Sequence, residues 1–347
     1  MTVQDVTDTS MVLEMAKVGN MIWADLRATE HTLLLLAEEH ATTPMVGRTH
    51  GQPGAPITFG LKAASWADEI GRSISRLGEL CDRVLVCQLG AAVGSLAFFG
   101  DDALALRSAF AQELELGEPD VSWLTARDRL GEFANALALA TTGLARIANE
   151  VFSLQRAEIG ELREATSDST VGSITMPHKR NPESSEQIVV LARLVRSRAA
   201  TLVDTMVQEH ERDARGWKAE WVVFPELCHY ACAATAMSRS LAEGLEVDAG
   251  QMLSNLQSGS AASEEMLRVL TTHVGKHQAQ DMLQRAYQAV TSDGDLVAEL
   301  RKLLPAEVVD IELPAADTAK FGASAEMVTR VIGASRARRA NEPESWC

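Results

Sequence analysis

The sequence has little positive charge for its length, and this limits the partners it can bind. The 347 residues include 32 lysine and arginine residues against 48 aspartate and glutamate residues, which gives a net charge of −16. Because nucleic-acid binding needs a basic face for the phosphates, we expect no nucleic-acid partner. An anionic substrate would have to be held by local cations that act against the general negative field.

Cysteine is scarce, and its spacing does not suggest a metal site. The five cysteines include no Cys-x-x-Cys pair. Cys228 and Cys232 lie one helical turn apart, but no histidine or further cysteine follows at the spacing of a zinc site. An odd, scattered set of cysteines in a long chain predicts reduced thiols in a cytoplasmic protein. We expect no bound metal and no cofactor.

A long apolar run is also missing. The longest uncharged stretch, residues 84–100, contains Gln88, Gly90 and Gly94, and it fits a buried helix end and loop better than a membrane span. Residues 2–8 are polar and acidic, unlike the basic start of a signal peptide. We therefore expect no membrane partner.

The hydrophobic pattern that is present is helical. Apolar residues recur at spacings of three, four and seven, for example over residues 183–206 and 218–243, and strand alternation of useful length is missing. Several such stretches are roughly 25–35 residues long, against a mean helix of about 11–12 residues. Their wide apolar stripes predict an all-α fold, a long-helix bundle shared between subunits.

The pattern of the sequence changes near residue 246. Beyond that point the predicted helices are shorter, Pro305 and Pro314 interrupt them, and the tail is polar. We therefore predict a central helical-bundle domain over residues 1–246, which carries the catalytic segments, and a smaller helical C-terminal domain over residues 247–347.

The most informative segment is residues 172–182, Gly-Ser-Ile-Thr-Met-Pro-His-Lys-Arg-Asn-Pro. Its two prolines forbid a continuous helix, since proline lacks the N–H group and clashes with the preceding turn. The segment is therefore predicted to be a loop that carries the hydroxyl of Ser173, the cation of Lys179 and the amide of Asn181. These groups suit the binding of a small anion.

Residues 47–53, Gly-Arg-Thr-His-Gly-Gln-Pro, form a second cluster. Thr49, His50 and Gln52 offer a hydroxyl, an imidazole and an amide just before a long helix that we expect to begin near Pro56. The N–H groups of that helix start would add positive potential for an anion. The alternative is a helix cap with a surface histidine.

Two further segments allow more than one interpretation. Residues 1–9 could cap the first helix, with Asp8 or Thr9 as the N-cap. Residues 208–221, which include Trp217 and Trp221, could be a charged turn between helices.

Together these segments resemble the fumarase/aspartase superfamily, whose members eliminate across a C–N or C–O bond to leave an alkene diacid. Residues 172–182 resemble its signature loop, residues 47–53 its second conserved segment and residues 1–9 its first. Val3 and Ile174 both stand where relatives often have serine. The resemblance implies a small domain ahead of the first segment, which we expect to be absent from this chain.

The resemblance implies roles for particular residues. Ser173 would be the base, acting as an alkoxide, His50 would be the general acid, and Glu186 would orient His50. Lys179 and Asn181 would bind the carboxylate beside the carbon that loses its proton. The residues implied to bind the substrate, a di- or tricarboxylate, are Thr2, Thr49, Gln52, Met176, Lys179 and Asn181.

Residues 176–182 resemble the branch of adenylosuccinate lyases and 3-carboxy-cis,cis-muconate cycloisomerases. Trp217, Lys218 and Trp221 stand where adenylosuccinate lyases carry serines and an arginine for a ribose phosphate, which favours a cycloisomerase-like lyase. His50 is often lacking in bacterial cycloisomerases, so adenylosuccinate lyase stays the alternative, and an inactive helical scaffold is a third. The resemblance also implies a homotetramer whose sites use residues from three subunits.

Overall fold

The computed structural model describes residues 1–165, 176, 179–258, 263–290, 296–308, 310–313 and 320–347. Its longer helices are α1 (Val3–Glu39), α2 (Phe59–Glu79), α5 (Asp128–Leu154), α6 (Glu183–Asp204) and α7 (Ala214–Glu243). The shorter helices are α3 (Cys81–Val84), α4 (Ala103–Glu113), α8 (Ala249–Ser258), α9 (Ser263–Val274), α10 (Lys276–Ala289), α11 (Leu296–Arg301) and α12 (Ser324–Arg339). The strands are β1 (Pro44–Thr49), β2 (Gln52–Thr58), β3 (Leu162–Arg163) and β4 (Glu246–Val247).

The five longer helices pack into one bundle, and this confirms the predicted all-α fold. Their apolar faces share a single core that includes Met15, Trp66 and Phe133, each almost fully buried. The stretches predicted over residues 183–206 and 218–243 correspond to α6 and α7, although α7 begins four residues earlier and continues through Pro225. The hydrophobic period was therefore a sound guide, because the buried faces of these helices carry it.

The bundle has two ends, and the site segments lie at both. At the Thr2 end, where α1, α5 and α7 begin and α6 finishes, Arg127 bonds Asp8 of α1 and Glu220 of α7. At the His50 end, where α2 and α6 begin, the Gly60 N–H donates to the carbonyl of His40 at 2.9 Å. Successive long helices along the chain therefore alternate in direction.

The expectation that no useful strand occurs was wrong for residues 44–58. β1 and β2 pair antiparallel as a hairpin, with an irregularity between Val46 and Arg48, and α2 begins only at Phe59. Its N-cap is Thr58, whose hydroxyl accepts the Leu61 N–H at 3.1 Å. The prolines of β2 hid this strand, since proline is tolerated in strands mainly at sheet edges. The start of α2 therefore follows His50 by nine residues and is not part of that turn.

The C-terminal part of the chain has a small core of its own, and its last residues return to the bundle. Met266, Leu270 and Met282 are buried in a cluster separate from the main core. Trp346, however, is 1% exposed, donates its Nε1–H to the Leu77 carbonyl at 2.6 Å and lies so close to Gly19 that a Cβ there would clash with its ring. The division near residue 246 stays a prediction.

One cysteine pair bears on the expectation of reduced thiols, which stays a prediction. Cys81 and Cys347 lie side by side, with Cα atoms 6.0 Å apart, a separation within the range of a disulfide. The two residues are 266 positions apart, so no local spacing could reveal that the C-terminal segment folds back onto the bundle. Burial raises the pKa of the Cys228 and Cys232 thiols, which disfavours the thiolate form that metals bind.

A charged triad is buried at the Thr2 end. Arg127 donates to both oxygens of Asp8 at 2.7 and 3.0 Å and also bonds Glu220, and all three side chains are fully buried. Burial raises the pKa of Asp8, although Arg127 acts against this. Burial disfavours the cation of Arg127, but Glu220 and Asp8 together hold its pKa above the ordinary value. One cation therefore serves two carboxylates.

The triad predicts two very different mutational costs. Arg127→Met leaves two buried carboxylates without a cation, so the free energy of unfolding at pH 7 should fall by about 3–5 kcal/mol. Asp8→Asn leaves a one-to-one pair and should cost much less. The folded-state pKa of Asp8 is raised, so its protonated form contributes stability at low pH that is lost as the pH rises through that pKa. Because Arg127 acts to lower this pKa, its removal raises the pKa further, and Arg127→Met gains more stability than the wild type as the pH is lowered. The deficit of Arg127→Met should therefore shrink as the pH is lowered from 7 towards 5. Urea denaturation measures both effects, and equal losses in the two variants would contradict this account.

Candidate active site

The predicted loop is only partly within the described residues. Ser173, the predicted base, lies outside them. Met176, Lys179, Asn181 and Glu186 are all described and exposed. The Lys179 N–H donates to the Met176 carbonyl at 2.9 Å, and Glu186 stands in the first turn of α6. The lysine, the amide and the glutamate therefore face solvent near the start of one helix.

The second cluster is the tip of the β1–β2 hairpin. Thr49 pairs with Gln52, and the two residues between them, His50 and Gly51, both have positive φ angles of 53° and 74°. Positive φ at both central residues is the requirement of the tight turns that match the twist of a hairpin. The exposed side chains of Thr49, His50 and Gln52 are thus presented together on a fixed turn. The His-Gly pair was the signal that could have predicted it.

The hairpin is held to the bundle by charged groups that the sequence did not single out. Arg48 donates from both terminal nitrogens to the two carboxylate oxygens of Glu161, at 2.8 and 2.6 Å. Glu161 is fully buried and also accepts the side-chain N–H of Asn255 from α8 at 2.8 Å. A bidentate ion pair of this kind fixes orientation as well as distance.

Thr2 is placed at the other end by Asp5. Thr2 is the N-cap of α1, so the predicted cap at Asp8 or Thr9 was wrong, and its N–H donates to Asp5 Oδ2 at 2.8 Å. The buried Asp5 carboxylate also accepts the N–H groups of Gly90 and Ala91, at 2.8 and 3.1 Å. The first turn of α1 is thereby fastened to the loop that follows α3.

The length of α1 separates the predicted substrate-binding residues. Thr2 precedes this helix of 37 residues and Thr49 follows it. At 1.5 Å per residue the helix is about 55 Å long. Within the described residues, no hydrogen bond joins Thr49, His50 or Gln52 to Thr2, or to the exposed groups of residues 179–186. One chain therefore does not bring Thr2 and Thr49 to the same substrate.

Residues 208–221 lie at the Thr2 end. Arg212 donates to the Ala91 carbonyl at 3.0 Å, beside the loop that Asp5 holds. Asp213 caps α7, and the hydrogen bonds from Arg215 keep the pKa of its carboxyl well below the usual value. Trp217 is buried edge-on against Trp221, with ring centres 4.8 Å apart, whereas Lys218 is exposed. The charged residues Asp213 and Arg215 of this segment therefore stabilise the turn that leads into α7.

One cavity of the single chain lies apart from the predicted site residues. A cavity of about 880 Å³ lies between β2, α9 and the start of α12, and none of the predicted site residues lines it. Over the residues that the structure describes, no group of three or more metal-ligating side chains comes together, and no helix is long and apolar enough to cross a membrane. The absence of a metal and a cofactor from the protein stays a prediction.

The chain has the fold class of the fumarase/aspartase superfamily, an all-α bundle of long helices with polar segments at its ends. The family model described as lyase matches residues 1–196, more than half of the chain. The chain belongs to this lyase family.

Relatives and solved structures agree with that assignment. An N-acetyl-S-(2-succino)cysteine lyase from Enterococcus italicus is 38% identical over 81% of this chain and 62% of its own length. A 3-carboxy-cis,cis-muconate cycloisomerase from Pseudomonas putida is 38% identical over 84% of this chain and 70% of its own length. The crystal structure of 3-carboxy-cis,cis-muconate lactonizing enzyme from Pseudomonas putida superposes with a TM-score of 0.86 at 36% identity, covering 97% of this chain and 77% of that one. The chain thus spans about three fifths of the Enterococcus relative.

The contacts of Asp5 generate a prediction for the Thr2 end. In Asp5→Asn one carboxylate oxygen becomes an NH₂ group that faces N–H donors, which leaves buried donors unsatisfied. Each such group costs about 1–3 kcal/mol, so the free energy of unfolding should fall by at least that amount. Asp101→Asn, at an exposed position, is the matched control. Chemical denaturation compares the two, and equal stabilities would show that Asp5 does not hold this end together.

Proposed function

We propose that this chain forms part of a lyase or cycloisomerase that carries out β-elimination, or its reverse, on a di- or tricarboxylate by a serine-base mechanism. The function is similar to that of a 3-carboxy-cis,cis-muconate cycloisomerase. Family membership supports the reaction class, and the names of the relatives, which specify succino and carboxy groups, support the substrate class.

The observation that carries the proposal is the hairpin turn at His50. It presents a hydroxyl, an imidazole and an amide at an exposed tip, on backbone held by the ion pair of Arg48 with the buried Glu161. A group held in this way suits general acid catalysis, which contributes typically 10²–10⁴ in rate. In the proposed site His50 protonates the leaving group, and Glu186 orients the imidazole of His50. Thr49 and Gln52, together with Thr2, bind a carboxylate of the substrate.

Ser173 is the proposed base that removes the proton beside a carboxylate. A serine hydroxyl is a very weak acid, and each pKa unit of adjustment corresponds to about 1.4 kcal/mol. Positive potential from Lys179 and from backbone N–H groups near Gly172 would supply part of this. Lys179 and Asn181 would bind the carboxylate that becomes more negative as the proton leaves, with Met176 beside the substrate.

We propose a homotetramer in which several chains contribute to each site. The length of α1 supports this, because a helix of about 55 Å lies between Thr2 and Thr49 in one chain. Exposed apolar residues on the long helices also support it, since an apolar helix face is buried against another surface. Those on the long helices include Met21, Leu139, Val190, Val203 and Val222.

The choice of substrate rests on residues 217–221. Trp217 is buried against Trp221 and leaves only Lys218 as an exposed cation among them, which does not favour a ribose phosphate. This observation favours the cycloisomerase-like function over adenylosuccinate lyase. We also propose a cytoplasmic location, which the scarcity of cysteine in a long chain supports and the closeness of Cys81 to Cys347 opposes.

The reaction is tested by turnover of 3-carboxy-cis,cis-muconate and of adenylosuccinate, followed by ultraviolet absorbance. We expect turnover of the muconate, and we expect Ser173→Ala and His50→Asn each to lower kcat by about 10²–10⁴. Ser254→Ala, at an exposed serine of α8, should leave kcat unchanged. Undiminished turnover in Ser173→Ala would refute the serine base, and turnover of adenylosuccinate alone would favour the alternative. If the wild-type protein turned over neither, the scaffold interpretation would gain support.

Shared sites predict that two inactive variants restore activity when mixed. If Ser173 and His50 of one site come from different chains, reassembly of Ser173→Ala with His50→Asn should recover about a quarter of wild-type activity. In a random mixture about half of the sites have an intact Ser173, and about half of those also have an intact His50. The measurement is kcat per site after the two proteins are unfolded and refolded together. Recovery at the level of the separate variants would mean that each chain builds its own pair.

A further inference from the structure

Glu161 and Glu164 lie at the two ends of a short segment that follows α5. Through these two side chains the segment contacts both the β1–β2 hairpin and the start of α6. The segment contains β3, a strand of two residues that pairs with β4, with Leu162 opposite Val247. Leu162 is fully buried, which fixes the segment in the core. Neither glutamate belongs to the proposed catalytic set, yet both carboxylates are buried and hydrogen-bonded.

Glu161 acts on the hairpin. Its two oxygens receive the fork of Arg48, the residue directly before Thr49 and His50. Asn255 donates to the same carboxylate and also to the Ile159 carbonyl, both at 2.8 Å. The planar guanidinium of Arg48 is held at two points, and its partner carboxylate is held by a third donor, Asn255. The guanidinium therefore cannot rotate freely. The backbone that enters the His50 turn is therefore fixed in direction.

Glu164 acts on the start of α6. Its two oxygens accept the N–H groups of Ser184 and Ser185, at 3.0 and 2.9 Å. The residue at the N-cap position is Pro182, whose ring offers no acceptor to these N–H groups. A carboxylate at a helix start satisfies unpaired N–H groups and interacts favourably with the helix dipole. Glu164 thus supplies from a distance the cap that the local sequence lacks, while its own N–H donates to Gln155 at 2.8 Å.

We propose that Glu161 and Glu164 are positioning residues for the reaction, in addition to the catalytic set, an inference that rests on the proposed function. Glu161 holds the His50 turn through Arg48, and Glu164 holds the first turn of α6, which carries Glu186. The buried segment between them keeps both turns in fixed orientation to the bundle. Small displacements of a catalytic group cost large factors in rate, so these carboxylates control kcat without touching the substrate.

The test compares Glu161→Gln and Glu164→Gln in the assembled full-length protein, with Glu158→Gln as matched control at an exposed position of the same stretch. The first readout is hydrogen exchange, which does not depend on activity. Glu161→Gln should raise exchange at least tenfold in residues 44–58 and leave residues 183–190 unchanged. Glu164→Gln should do the reverse, and Glu158→Gln should change neither.

The second readout is steady-state kinetics, measured well below the unfolding temperature. Glu161→Gln should lower kcat ten- to a hundredfold and shift the pH profile of kcat, whereas a purely structural role would leave both unchanged in the folded protein. Glu164→Gln should lower kcat and raise KM, because Lys179 and Asn181 precede the turn that it caps.

Three results would overturn the inference: unchanged exchange in both segments, exchange raised equally in all three variants, or kinetics identical to Glu158→Gln. If Glu161→Gln does not fold, Arg48→Lys replaces it, since lysine keeps the charge but loses the bidentate contact, and its exchange over residues 44–58 decides. If the wild-type protein turns over neither substrate, the proposed function fails, and the exchange results alone confirm or refute the positioning of the two turns.

Discussion

The continuity of α1 is the constraint on which the rest of the structure depends. A helix of 37 residues without a break acts as a rod of about 55 Å, and it places Thr2 and the His50 turn at opposite ends of the bundle. α5 and α7 run in the same direction as α1, whereas α2 and α6 run in the opposite direction, and all share its core. The polar segments of one chain are therefore held far apart, and the proposed sites form only where several chains meet. The exposed apolar positions on the same helices fit that arrangement.

Buried carboxylates hold the joints between these rods and the segments at their ends. Asp5 ties the start of α1 to the loop after α3, Glu161 ties the hairpin to β3, and Glu164 ties β3 to α6. Each carboxylate accepts N–H groups that would otherwise be unsatisfied. Replacing one of them should therefore lower the free energy of unfolding by more than the cost of burying its charge. The triad of Asp8, Arg127 and Glu220 does the same with an excess of negative charge. In all four cases a charged group fixes orientation where a small apolar contact would allow rotation.

Family membership and local geometry limit the function in different ways. The match over residues 1–196 and relatives at 38% identity establish the lyase family. The geometry adds that the His50 turn is exposed and anchored through Arg48 to Glu161, and that Trp217 is buried. The relatives matched here carry different names although they share the family, so the fold alone does not decide the substrate.

The sequence by itself determined the helices, the class of fold and the candidate residues, because the helical period and the loop signals are local properties. It predicted α6 and α7 to within a few residues, but it missed the β1–β2 hairpin, since the prolines of β2 obscure the strand pattern. Only the tertiary structure decided which groups hold the site segments. Arg48 and Glu161 are 113 positions apart, Asp8 and Arg127 are 119 apart, and Cys81 and Cys347 are 266 apart. Contacts between residues so distant depend on how whole helices pack, and no spacing within a single segment encodes that packing.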